Sequence, residues 1–266
     1  MATHARYIVG FTALSVAAAL LLPAMPQPVS YHDFADHRTL FGVANFLDVA
    51  SNAAFVLAGL IGLAIVLRPG TEFADGRERW PYAVFFVGMV LTGLGSAYYH
   101  LVPDNERLFW DRLPMTIAFM SLVAAQVVDR IDTRTGLVLL VPMLLVGAAS
   151  VLYWRATERM GAGNVMPYAV LQGYSVVILF LLARLRPSRY TRGNDIYWVF
   201  AGYVVAKLFE TFDGALYELG HVASGHSLKH LAAAVAGLLV ARMLLLRTLQ
   251  PAGSAPGFDR SPVAQS

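Results

Sequence analysis

Five polar residues stand at the edges of otherwise apolar stretches and are of types that do chemistry together. Ser96 and His100, in GSAYYH, are four apart and so share one helix face, one turn above the other. Asp111 follows at the start of the next apolar run, in FWDRLP, and His226 and His230, again four apart, open the last run in GHSLKHLAAAVAG. That i, i+4 spacing lets two imidazoles point at one ion from one face. The chain has no cysteine, which excludes disulfides and thiolate ligands, so a transition metal must be held by nitrogen and oxygen. Three histidines with an open fourth position make the pattern of a catalytic zinc site. Zinc acidifies its water, Asp111 suits the general base that takes the proton, and Ser96 can orient the water or donate to a developing oxyanion. Taken singly, each histidine also reads as an interfacial residue or helix-end cap. A haem between two histidines would leave Ser96 and Asp111 without a task.

The elements that must position these residues are membrane helices. The chain of 266 residues is 57% hydrophobic and 14% charged, far from the balance of a soluble domain. Its apolar runs approach the roughly 20 residues a bilayer-spanning helix needs, over residues 7–25, 45–67, 80–101, 112–128, 137–153, 166–184, 196–219 and 226–246. The fold expected is all-α and integral to the membrane: a seven-transmembrane-helix core over 31–247, preceded by one extra N-terminal transmembrane helix and Pro-rich linker over 1–30, and followed by a disordered tail over 248–266. The first run could also be a signal peptide, but no good small-x-small cleavage site stands out, which favours a retained helix.

An antiparallel chain changes sides at each crossing, so the end of the third run and the starts of the fourth and eighth share one membrane surface. Ser96, His100, Asp111, His226 and His230 then converge at one depth, beside the acidic segment YHDFADHRTLFGVANFLDVASN over 31–52. Loops on that side carry few arginines, whereas the other side carries Arg68, Arg77, Arg130, Arg134, Arg184, Arg189, Arg247 and others. Positive short loops mark the cytoplasmic face. The expected placement is a bacterial cell membrane, with the site facing the periplasm or exterior and both termini cytoplasmic. Lys207 and Glu210, at i, i+3 within the seventh run, are expected to neutralise one another inside the bundle, with Asp213 nearer the site. Tyr98, Tyr99 and Trp110 read as interfacial anchors, and His32 and His37 as surface residues.

The order Ser-x-x-x-His, then Asp, then His-x-x-x-His at the start of the last helix resembles the CREST superfamily of seven-helix hydrolases, and within it the alkaline ceramidase branch and its bacterial relatives. The likeness extends over about residues 31–247. It implies zinc at His100, His226 and His230, Asp111 and Ser96 at the zinc-bound water, and hydrolysis of the amide bond of a ceramide-like N-acyl lipid drawn from the bilayer. It also implies Ca²⁺ at the N-terminal acidic segment, where Asp33, Asp36, Asn45 and Asp48 supply oxygen ligands. This chain departs from the family there, having DFADHR where relatives carry a Trp and several glutamates. A receptor-like member of the superfamily and a lipid-ester hydrolase are the alternative functions. Transport would call for broken helices in paired repeats, which the sequence lacks, and nothing in it suggests nucleic acid as a partner.

Overall fold

A computed structural model of the chain describes residues 2–251. It is an all-helical bundle, with only isolated bridges such as Leu40 to Val43 outside the helices among the described residues. The long helices are α1 (Ala2–Leu21), α3 (Ala53–Leu67), α4 (Arg79–Leu101), α5 (Asn105–Arg130), α6 (Thr133–Arg159), α7 (Met166–Leu185), α8 (Ile196–Thr211) and α10 (Gly225–Leu246). Two short ones, α2 (Phe46–Ala50) and α9 (Asp213–Tyr217), precede α3 and α10. Among the described residues, six segments are long and apolar enough to cross a bilayer: Phe46–Leu67, Gly76–Leu101, Asn105–Arg130, Thr133–Arg159, Met166–Leu185 and Gly225–Leu246. The chain is therefore an integral membrane protein.

Local sequence explains where the helices begin. Asp104, Asp132 and Ser224 each cap a helix, accepting from the backbone N–H three residues on at 2.7, 2.8 and 3.0 Å. The expected seventh run is not one helix. It breaks at Phe212, whose backbone leaves the helical region (φ −101°, ψ 28°), so α8 ends at Thr211 and the short α9 follows. With 16 residues, α8 spans only about 24 Å at 1.5 Å per residue.

The core lies between α3, α4, α5, α8 and α10, where Phe86, Met89, Val240 and Leu244 are fully or nearly fully buried. Helix α1 lies against α7, with Phe11 stacked on Tyr174 at 5.8 Å. Two glycines allow close approaches that matter below. Pro114 has no N–H to give the Trp110 carbonyl, and Gly95 of α4 sits against that freed oxygen: a Cβ at Gly95 would lie 1.9 Å from it. A Cβ at Gly225 would lie 2.2 Å from the Phe209 carbonyl of α8.

At the end of the bundle remote from His100, buried charges tie the helices together. Arg247 donates to Asp129 at 2.8 Å, Asp129 accepts from Tyr82 at 2.7 Å, and Glu78 accepts from Tyr190 while pairing with Arg189 at 3.1 Å. Several arginines counted above as loop charge are thus buried structural groups. Thr248 and Gln250, in the segment expected to be a disordered tail, bond to Thr191 and Arg189, and the rest of that segment, from residue 252, lies outside the described residues.

Candidate metal centre and cavity

His100 comes from the last turn of α4, and His226 and His230 from the first turns of α10. All three are buried, and one nitrogen from each lies within 4.8 Å of the other two. The Nε2 atoms of His100 and His226 face each other at 3.2 Å, and the three rings sit 4.7 to 5.1 Å apart. His100 Nδ1 is buried without a partner. Three neutral imidazoles in this arrangement leave nitrogens facing one another unsatisfied, whereas a shared cation satisfies them together. The donor set therefore fits a metal ion, and it is the one such group of His, Asp or Glu found among the described residues.

Neighbouring side chains hold the triad in place. His230 Nδ1 lies 2.8 Å from the Ser51 hydroxyl, whose own proton is directed at the Asp48 carbonyl at 3.2 Å. His230 then donates from Nδ1 and turns Nε2 toward the centre. The Asp48 carboxylate accepts from Ser227 at 2.6 Å and Ser224 at 3.1 Å, clamping α2 to the start of α10. Asp213 accepts from the His226 backbone N–H at 2.7 Å and from Ala35 at 2.9 Å. Phe34 covers the triad, 4.7 Å from the His100 ring and 4.3 Å from that of His226. Sequence reading passed over Phe34 and Ser51, because neither type signals chemistry by itself.

Asp111 and Ser96 face one another across the α4–α5 contact that Gly95 permits, and both line a cavity of about 420 Å³ that also reaches His230. Leu179 and Phe180 of α7 and Phe200 of α8 give the cavity an apolar wall, while Lys207 and Glu210 near the end of α8 are among its charged groups. Glu210 joins the expected Lys207 pair and a second lysine, Lys229, at 2.9 Å. The ceramidase-like constellation of Ser96, His100, Asp111, His226 and His230 is thus brought into one place.

The four proposed calcium ligands are not. Asp33 is exposed beside His37 at 3.4 Å. Asn45 donates to the His100 carbonyl at 2.9 Å, and Asp48 takes both serines on Oδ1 while its Oδ2 is buried without a partner. Asp36, only 1% exposed, is occupied by Arg38, which donates from Nε at 2.8 Å and Nη2 at 2.7 Å and also reaches the Val222 carbonyl at 2.8 Å. The guanidinium holds the Asp36 carboxyl below the usual aspartate range. The guanidinium thus takes both Asp36 oxygens, and Asp33, Asp36 and Asp48 do not form a close group of the kind the histidines make among the described residues. Two surface assignments also change. His32 is half-buried, bonded to Tyr99 at 2.8 Å and Asn105 at 2.9 Å, and Tyr99 is buried beneath it. Tyr98 and Trp110 are about half exposed, as expected of interfacial anchors.

The fold and site define a class: a polytopic membrane protein with a buried three-histidine centre at the polar end of an apolar cavity. Residues 29–255 match the family model described as Ceramidase, and the chain belongs to that family. No curated protein matched the chain. Family membership implies a hydrolase acting on the amide bond of ceramide, a membrane lipid.

Proposed function

We propose that the protein is a zinc-dependent membrane hydrolase that cleaves the amide bond of a ceramide-like N-acyl lipid. The observation that carries this reading is the meeting of three histidine nitrogens within 4.8 Å beside Asp111 and Ser96 at the end of a largely apolar cavity. His100, His226 and His230 would hold the zinc. Bound there, it would supply Lewis-acid polarisation of the amide carbonyl and a water acidic enough to ionise near neutral pH.

The chain's own residues do the rest. The apolar walls from α7 and α8 take an acyl chain and present its carbonyl to the polar end. Asp111 accepts the proton of the attacking water as the new C–O bond forms, then returns it to the nitrogen as the C–N bond breaks, giving a fatty acid and a free amine. Ser96 donates its hydroxyl proton to the Asp111 carboxylate and keeps it oriented, and once Asp111 has taken a proton that hydroxyl is free to turn to the developing oxyanion. The centre is read as facing away from the cytoplasm, since the opposite end of the bundle carries the excess of arginines.

The test is fatty-acid release from a panel of ceramides, other N-acyl amines and acyl esters, with metal content measured on the same preparation. Release from amides but not esters, by protein carrying zinc, is expected. Release from esters alone would replace the amide assignment, and release from none would remove the hydrolase reading.

A further inference from the structure

Arg112 follows Asp111 directly in α5, and hydrolysis as argued above gives it no task. It is 5% exposed and lines the cavity. Its single hydrogen bond runs from Nη2 to the Gln27 side-chain oxygen at 2.6 Å, while Nε and Nη1 are buried without partners. No carboxylate pairs with it among the described residues. Three rings surround it instead: its guanidinium carbon lies 4.5 Å from Trp154, 4.9 Å from Tyr168 and 5.2 Å from Tyr31. Aromatic faces offset part of the desolvation of a buried cation, but they leave its N–H donors unused.

The other charges lining the cavity sharpen the point. Lys207 and Lys229 both pair with Glu210, and the Asp111 carboxylate faces Ser96. Three cations thus stand against two carboxylates, and of the three Arg112 alone has no ion-paired carboxylate among the described residues. A buried guanidinium with free donors, held by Gln27 and three rings, is suited to a planar or tetrahedral oxyanion.

We propose that Arg112 is an anion-binding specificity residue, which takes a negatively charged oxygen group of the lipid in the cavity. That group is a phosphate, sulfonate or carboxylate on the head of the substrate, or the carboxylate of the released acid. Gln27 steers the guanidinium, and the ring cage of Tyr31, Trp154 and Tyr168 fixes its plane. The proposal rests on the hydrolase reading only for what occupies the cavity, so its test is made by binding and not by turnover.

The experiment measures equilibrium binding in detergent micelles to Asp111→Asn protein, with and without Arg112→Gln or Arg112→Lys. The probes are an N-acyl sphingoid base, the same lipid carrying a 1-phosphate, and palmitate. In the Arg112-containing protein the phosphorylated lipid or palmitate is expected to bind at least about 10-fold tighter than the uncharged lipid. Arg112→Gln should weaken the charged ligand about 10–100-fold and leave the uncharged one within about twofold, while Arg112→Lys retains much of the preference. A loss confined to the phosphorylated lipid assigns Arg112 to the head group, and one confined to palmitate assigns it to the acid. Equal affinity for all three probes in the Arg112-containing protein, which needs no Arg112 variant to fold, overturns the proposal. So does an equal loss for all three in Arg112→Gln. Charge-dependent binding with no hydrolysis by the parent would keep the anion site and discard the enzyme.

Discussion

The Ser51 hydroxyl lies 2.8 Å from Nδ1 of His230 and makes that histidine present its other nitrogen to the centre. Ser51 belongs to the turn between α2 and α3, so a residue near the start of the core governs a ligand near its end. Ser51→Ala should lower zinc affinity about 10–100-fold while the helix content is kept. The measurement is competition with a chelator of known affinity, and unchanged affinity would remove Ser51 from the site.

Purified protein is expected to carry close to one zinc per chain, and His226→Ala or His230→Ala should empty it. Elemental analysis of both variants reads this directly. Full occupancy in both would show that the metal lies elsewhere.

Asp111→Asn should keep the metal and lose roughly 10²–10⁴-fold in turnover, because an amide cannot accept the proton of the attacking water. Parent-level turnover in a variant with full metal content would end the general-base assignment.

Arg38 supplies the charge that calcium would otherwise bring, so chelation with EGTA should leave melting temperature and activity unchanged. Arg38→Gln should lower the melting temperature by roughly 2–4 °C, with no recovery on adding Ca²⁺. The pH dependence follows from the sign of the Asp36 shift. Its folded value is depressed below the ordinary 3.8, so the pair stabilises the protein above that pH and the contribution fades as pH falls through the folded value. The gap in melting temperature between parent and Arg38→Gln should therefore close in acid below about pH 4. A gap that widened in acid would point to another partner for Arg38.

Orientation can be read with single cysteines, since the native chain has none. Val102 and Arg134 are exposed at opposite ends of the bundle. In intact cells, or spheroplasts where an outer membrane intervenes, Val102→Cys should react with an impermeant maleimide and Arg134→Cys should not. The reverse pattern would turn the centre toward the cytoplasm.

Much of the site was legible because it is written in local spacing. His226 and His230 announce a shared face by being four apart, and alternation of the chain across the membrane brings His100 and Asp111 to the same depth. Side-chain partnering across helices leaves no such mark. Nothing in DFADHR says that Arg38 folds back on Asp36 or that Phe34 roofs the histidines. The α8–α9 break was missed because apolar residues continue on both sides of it, as LFETFDGALYEL shows, and the backbone turn at Phe212 has neither Gly nor Pro at its centre. The inward arginines were missed for a related reason: Arg130 and Arg247 look like loop charges until Gln126 and Asp129 are seen to receive them.

The contact at Gly95 has a consequence for how this enzyme can change. Where α4 meets α5, the spacing of Asp111 and Ser96 is set by backbone against backbone, with a methyl group's absence as the gauge. Gly225 plays the same part where α10 meets α8. Much of the cavity wall comes instead from α7 and the body of α8, which supply none of the three histidines, the aspartate or the serine. That part of the cavity's shape is therefore set apart from the two close approaches. Substitutions at Leu179, Phe180 or Phe200 can reshape that wall without touching either close approach, while one carbon atom added at residue 95 drives α4 and α5 apart where Ser96 and Asp111 meet.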